Sequence, residues 1–391
     1  MAKEIIELVD EDMTVEDHEK AVIRGLRGVA AATTRTSFVE PFGALYYSGY
    51  NIDDLVDRAS YEEVIYLLLN NKLPTQNELD KLKSDLFSAM KLPKPVVQRI
   101  REASPNCHPM EVLRTEISHL GEFDPEPDDM SDAANKRRAI RIIAKLPTLI
   151  SYLYRTRLNE DAIMPLRENS FAENFLYMFR GKVADTEEKA AMERYMILHA
   201  DHGLNASTFA ARVTAGTGSD LYSAITSAIG TLKGPFHGGA SERVMKMCYE
   251  INSIDEVETY IQSMLDDKKK IMGFGHRVYR TEDPRSKHLR RMAEKMCQQR
   301  NSLGIYNKCH KIETTVYQKK GIFPNVDFYA AIIMHVLGVP NDFFTSFFAS
   351  SRVTGWVAHV LEQYADAVLI RPTSKYIGEY GREFIPIKER S

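Results

Sequence analysis

At 391 residues, with 44% hydrophobic and 27% charged residues, the chain is long enough to bury a substantial core, and its composition is that of a soluble globular protein of two domains rather than one. A formal net charge of −3 from intermixed acids and bases gives no field suited to coating nucleic acid, and the one basic cluster of note is the lysine run at 268–270. The opening MAKEIIELVDEDM is acidic where a secretory signal is basic and then apolar, and no apolar run approaches the roughly 18 residues that span a bilayer, so a soluble, cytoplasmic protein is expected.

Short strands are predicted at 5–9 and 44–47. The 3.6-residue period then predicts helices at 61–71, 78–91, 111–120, 133–157, 187–202, 206–215, 221–231, 241–252, 257–267, 286–300 and 343–363, with Pro147 expected to kink the fourth. The apolar run 328–340 reads as a buried core helix, and a last strand is expected around Tyr376. No repeat or low-complexity stretch is visible, and the class is all-α. Glycines cluster at 216–218, 230–239, 273–275 and 321, which marks joints. They place a smaller helical domain at 217–326, inserted into a large helical domain formed by 1–216 and 327–391. The four cysteines, Cys107, Cys248, Cys297 and Cys309, show no CxxC spacing, and reduced thiols are expected.

Four segments concentrate the residues that carry chemistry. In ADHGLNASTFAAR, His199 and His202 stand at i, i+3; they fit a metal pair or a polar face ending a helix, and no HExxH spacing supports zinc. In KGPFHGGASERVMKM, His237 precedes two glycines and a helix start, where the positive end of the dipole disfavours its charged form; a surface turn is the plainer reading. In KKKIMGFGHRVYRTEDPRS, Phe274 between two glycines reads as an aromatic plate on a mobile loop, and His276, Arg277, Arg280 and Arg285 suit a polyanionic ligand. GFG lacks the third glycine and the preceding strand of a dinucleotide fingerprint. In GIFPNVDFYAA, Asp327 stands where a helix begins, either as a functional acid or as a residue stabilising the dipole. Two further arginines stand out: Arg352 in the apolar FFTSFFASSRVTGW, and Arg371 before Pro372. No acid lies within a turn of Arg352, and burying it unpaired is costly, so an anionic ligand is a candidate partner.

Together these segments resemble the citrate synthase family. GPFHGGASE is similar to its GPLHGGANE, IMGFGHRVYRTEDPRS to its GFGHRVYKxxDPR, and FPNVDFY to its NVDF-type motif. SSRVTGWVAHVLEQ and RPTSKYIG are similar to its C-terminal signature, and GALYYSGYNIDDL, NKLPTQNEL and HPMEVLRTEISHLG more loosely to its N-terminal half. Departures are Ser48 where arginine is common, Ser241 where asparagine is common, and Thr373 and Ser374 after Pro372; they bear on substrate preference rather than on the reaction. The resemblance implies an all-α homodimer whose two domains close on substrate. It implies that Asp327 removes a proton from the methyl group of an acyl-CoA, that His237 stabilises the enol or enolate, and that His276 donates to the carbonyl oxygen of oxaloacetate. It further implies that His202, Arg285, Arg352 and Arg371 hold oxaloacetate, with Arg371 reaching in from the neighbouring subunit. Lys268, Met272, Gly273, Phe274, Gly275, Arg280 and Asn325 are then the coenzyme A contacts, and no metal or prosthetic group is implied.

Three other readings compete. The same residues acting on propionyl-CoA would make 2-methylcitrate, a difference of one methylene worth only about 1–3 kcal/mol in an apolar pocket. A metal-dependent hydrolase would use His199, His202, His237 and His276. A catalytically dead helical scaffold is opposed by the presence of every acid–base and arginine candidate.

Overall fold

The computed structural model describes residues 22–390 except Arg27 and Pro105, so the strand expected at 5–9 lies outside the described residues. The chain divides into a core unit, Thr34–Ile370, and a second unit made of its two ends, up to Thr33 and from Arg371. Among its described residues the end unit is irregular apart from 3₁₀ turns at Arg24–Leu26 and Ile387–Glu389. The strand expected around Tyr376 is therefore not formed: no partner strand is present there among the described residues, and Tyr376, Ile377, Tyr380 and Phe384 are exposed.

The core unit is helical. It opens on a small antiparallel sheet of β1 (Ser37–Glu40), β2 (Ala44–Tyr47) and β3 (Tyr50–Asn51), in which Val39 pairs with Leu45 and Tyr46 with Asn51. Sixteen α-helices follow among the described residues: α1 (Ile52–Arg58), α2 (Tyr61–Asn70), α3 (Gln76–Ala89), α4 (Lys94–Glu102), α5 (Pro109–Leu120), α6 (Asp132–Arg157), α7 (Phe171–Arg180) and α8 (Thr186–His199), then α9 (Ala206–Ala215), α10 (Leu221–Leu232), α11 (Ala240–Glu250), α12 (Val257–Asp266), α13 (Pro284–Gln299), α14 (Leu303–Lys320), α15 (Val326–Val336) and α16 (Phe344–Asp366). Polar punctuation sets many of the boundaries. Ser60 with Glu63, Thr75 with Glu78, Ser170 with Glu173 and Asp185 with Glu188 form reciprocal capping boxes that satisfy the first free amides of α2, α3, α7 and α8. Helix α6 runs unbroken through Pro147.

Helix α16 is buried along most of its length, polar residues included, and α2, α5, α6, α8, α9, α10 and α11 pack against it. Gly355 permits one of these approaches: its amide donates to the Ala200 carbonyl at 3.0 Å, and a Cβ there would lie 2.3 Å from Asp201 Oδ1. The turn following α8 is thereby pressed against the middle of α16, which brings His202 beside Arg352. Helices α12 and α13 pack on α14, while α11 and α13 pack on α15. Helix α10, although inside the segment 217–326, packs on α5, α9 and α16.

Candidate active site

His237 lies in the turn that leads through the N-cap Gly239 into α11, half-buried. Its Nε2 accepts the backbone N–H of Ser207 at 3.3 Å, and Ser207 Oγ lies 2.8 Å away. An amide directed at Nε2 requires that nitrogen to be unprotonated, which leaves the proton on Nδ1. Ser207 is the hub of this corner: its Oγ also lies 2.7 Å from Asn205 Oδ1 and accepts from Trp356 Nε1 at 3.0 Å. Burial, helped by the Arg352 charge, lowers the His237 pKa to about 4, so the ring is neutral near pH 7.

His276 is held in the opposite tautomer. Its Nδ1 accepts the backbone N–H groups of Val278 and Tyr279, each at 3.0 Å, so the proton resides on Nε2. Burial and then the Arg285 charge lower its pKa to about 4. The ring stands 5.0 Å from that of His202 and 4.5 Å from that of Tyr279, and His202 Nε2 is 3.1 Å from Tyr279 Oη. Burial, Arg285 and His276 together hold His202 well below its ordinary pKa. His202 lies past the end of α8, so it shares no helical face with His199. His199 is fully buried, with Nδ1 donating to the Tyr195 carbonyl at 2.8 Å and burial lowering its pKa to about 3; it is a packed core residue. Among the described residues no three His, Cys, Asp or Glu side chains converge as metal ligands.

Asp327 occupies the first turn of α15, its amide capped by Asn325 Oδ1 at 3.1 Å. A carboxylate there should be stabilised by the helix dipole, yet burial wins and raises its pKa to about 7, with Asp283 adding to the rise and Arg285 and Arg352 opposing it. The side chain keeps partial exposure, but Oδ1 is sealed from water with no hydrogen-bond partner. A buried, unpartnered oxygen on an acid that titrates near neutrality is the arrangement of a base awaiting a proton.

The two core arginines differ. Arg285 pairs with Asp283 through one edge of its guanidinium, Nε and Nη2 donating to the two carboxylate oxygens at 2.9 and 2.7 Å, both residues 2% exposed. Burial would lower its pKa, but the Asp283 pairing prevails and raises it. Arg352, also 2% exposed, has its Nε bonded to the His199 carbonyl at 2.7 Å and its guanidinium 4.8 Å above the Phe348 ring. Among the described residues no carboxylate lies within ion-pair distance of it, and burial lowers its pKa to about 10. Its charge acts on His199, His202, His237 and Asp327, which makes it the common electrostatic neighbour of the group. Behind it Asp201 is fully buried. Burial would raise the Asp201 pKa, but His359 Nε2 at 3.1 Å, Arg352 and Ser37 hold it below the ordinary value. Arg371 belongs to the end unit and is exposed.

The segment 272–275 differs from its expected form. Phe274 is only 7% exposed and packs on Phe328 with ring centroids 4.8 Å apart, so it is not a plate on a mobile loop. The segment is tied down: Gly275 N–H donates to Phe323 O, Asn325 N–H to Gly273 O, and Asn325 Nδ2 to Gly275 O. Gly273 sits at φ +80°, and a Cβ there would meet Val244 at 2.7 Å. Lys268, Arg277 and Arg280 are exposed, and Met272 is half-buried. Ser207, Tyr279 and Asp283 are the site residues that sequence reasoning missed. All three lay within the four segments, Asp283 two residues before Arg285, but Ser207 meets His237 from 30 positions away and Trp356 from 149. Ser207→Ala is expected to lower kcat about five- to tenfold by removing one polar neighbour of His237 while its backbone amide remains, and to shift Trp356 emission. Steady-state kinetics with a fluorescence spectrum check both.

The family model described as citrate synthase, C-terminal domain, matches residues 25–373. Citrate synthase 2 of Bacillus subtilis is 47% identical over 369 residues, spanning 94% of this chain and 99% of the relative. The 2-methylcitrate synthase 1 of Corynebacterium glutamicum is 40% identical over 95% of this chain and 100% of its own length. The solved citrate synthase of Thermoplasma acidophilum, in a ternary complex with carboxymethyl coenzyme A and oxaloacetate, superposes with a TM-score of 0.90 at 34% identity, covering 95% of this chain and 100% of that one.

Proposed function

The chain belongs to the citrate synthase family, condensing acetyl-CoA with oxaloacetate and hydrolysing the thioester to citrate and CoA, and we propose that Asp327, His237 and His276 carry the chemistry. Asp327, about half ionised near pH 7 and ionised above it, takes the proton from the acetyl methyl group in its carboxylate form. An enolate is too basic to form free, so a donor must meet the thioester oxygen as charge develops, and the Nδ1–H of neutral His237 fills that role. His276, protonated on Nε2, donates to the carbonyl oxygen of oxaloacetate while the new carbon–carbon bond forms. Both histidines stay neutral because a charged ring would be desolvated beside Arg285 or Arg352. Water then cleaves the thioester of the condensed product.

His202, Arg285, Arg352 and Arg371 hold the dicarboxylate in this reading. The observation that carries it is Arg352: a buried guanidinium with no carboxylate partner among the described residues, whose charge reaches both His237 and Asp327. Arg285 contributes differently, since Asp283 fixes its plane and leaves Nη1 for the ligand. Coenzyme A lies along 272–275, where Gly273 and Gly275 offer close backbone approach and Asn325 braces the segment. Lys268 and Arg280 are exposed charges for its phosphates, Met272 supplies apolar contact, and Phe274 supports the segment from below. The inserted domain expected at 217–326 closes over oxaloacetate and completes this second site. This chemistry calls for no metal or prosthetic group, and similarity to bacterial citrate synthases favours a cytoplasmic enzyme.

Thiol release from acetyl-CoA that requires oxaloacetate tests the activity. A higher kcat/KM with propionyl-CoA would transfer it to 2-methylcitrate synthesis, which similarity to the C. glutamicum enzyme keeps in view. The assembly is a homodimer with Arg371 supplied in trans. Mixing inactive Asp327→Asn and Arg371→Leu chains under subunit exchange should restore about a quarter of wild-type activity, because half the dimers are hybrids with one intact site. Absence of restoration would remove Arg371 from the partner's site.

A further inference from the structure

The cysteines without CxxC spacing meet in space. Cys248, in the last turn of α11, and Cys309, in the first half of α14, place their Sγ atoms 3.2 Å apart. The residues are 1% and 0% exposed and stand 61 positions apart in the chain. All four cysteines are free thiols, and Cys107 is engaged elsewhere, its Sγ donating to Glu111 Oε2 at 3.2 Å. We propose that Cys248 and Cys309 form a reversible intramolecular disulfide by exchange with a small-molecule disulfide of the glutathione class, bridging α11 to α14.

The geometry needs a closing movement of only about 1 Å to reach a disulfide bond of about 2.05 Å. Access comes through the end of α11. Its last turn is held by Lys308, whose Nζ donates to the Cys248 carbonyl at 3.1 Å and the Ile251 carbonyl at 2.5 Å, so release of these two bonds is the local opening that would expose Cys248. In the closed state the Cys309 thiol is kept protonated by its contact with Cys248 and by burial, so the pair waits on that opening. One thiolate then attacks a sulfur of RSSR and expels RS⁻, leaving a mixed disulfide. The second thiolate attacks the protein sulfur and expels the other RS⁻. Two protein thiols are oxidised, RSSR is reduced to two RSH, and the two thiol protons pass to the leaving groups. The bond ties the helix that starts after His237 to the helix that ends before Asp327.

Enzyme incubated in its native state with oxidised glutathione, then denatured and titrated, should show two thiols in place of four, with a Cys248–Cys309 link in a non-reducing peptide map and full recovery on reduction. The thermal midpoint should rise on the order of 5 °C, because closing a loop of this length restricts the unfolded chain. Cys309→Ala and Cys248→Ala, each outside the catalytic group, should keep wild-type turnover when reduced and show neither the linked peptide nor the rise in midpoint. A thiol titre that stays at four below the unfolding temperature, or a link from Cys309 to Cys297 instead, would overturn the proposal. Either result leaves the condensation reaction untouched, since the thiol-release assay measures that separately.

Discussion

Asp327→Asn lowers kcat roughly 10²–10⁴-fold, the range for losing a general base, while oxaloacetate affinity changes little. Steady-state and binding measurements check this, and a variant retaining more than a tenth of wild-type kcat would take Asp327 out of the mechanism. The wild-type pH profile carries the same information. The proposed base must be ionised, so kcat/KM should rise with pH through about 7, and neither histidine adds a limb nearby because both remain neutral down to about 4. The variant also tests where the raised pKa comes from. An acid titrating at 3.8 when unfolded and about 7 when folded holds its proton more tightly in the native state. Stability therefore falls as pH rises between those values, and the full penalty is present above pH 7. Asparagine avoids that penalty, so Asp327→Asn should be the more stable protein at pH 8, by on the order of 2 kcal/mol after allowance for the partial exposure of the side chain. At pH 4 the two should melt alike.

Replacing Arg352 with leucine weakens oxaloacetate binding by about 2–5 kcal/mol, ~30-fold or more, because a carboxylate of the ligand would be buried without its partner. The unliganded protein should tolerate the change well, since a guanidinium whose pKa burial has lowered to about 10 is itself a source of instability. Arg352→Lys keeps the charge but not the planar fork, and an ammonium cannot both satisfy the His199 carbonyl and pair a carboxylate in bidentate fashion. It should recover only part of the affinity. Calorimetry on both variants separates charge from geometry; unchanged affinity in Arg352→Leu would remove the residue from the site.

The residues that sequence reasoning found were those with local signals. Asp327 follows a cap and begins a helix, and Arg352 interrupts an apolar helix, so each is anomalous within one turn. The all-α class and most helices were legible for the same reason, through periodicity and punctuation. Helices α1, α4 and α7 were missed: at 7, 9 and 10 residues they give the helical period only two to three turns in which to repeat. Polar α14 carries too few apolar positions in register to stand out. Phe274 was misread because glycines on both sides look like freedom, whereas Gly273 is the condition for close packing against Val244 and Phe328. Contacts such as Ser207 with His237 leave no mark in the sequence, because nothing in the spacing of two distant segments says that they meet.

The tautomers of His237 and His276 depend on amides of the main chain, at 207, 278 and 279. Ordinary substitutions at these positions exchange a side chain and leave the amide in place. Only proline, or an insertion or deletion that displaces the turn, would reach the protonation pattern. The acid–base identity of the pair is thus insulated from most single-codon mutation, whereas the side-chain contacts of Ser207, Asp283 and Arg352 are not. Under random mutagenesis with selection for activity, the exposed position 278 should accept a broad range of residues with proline excluded, while Tyr279, whose side chain packs on His276 and meets His202, should not; inherited variation would accumulate in affinity and substrate preference sooner than in the reaction itself.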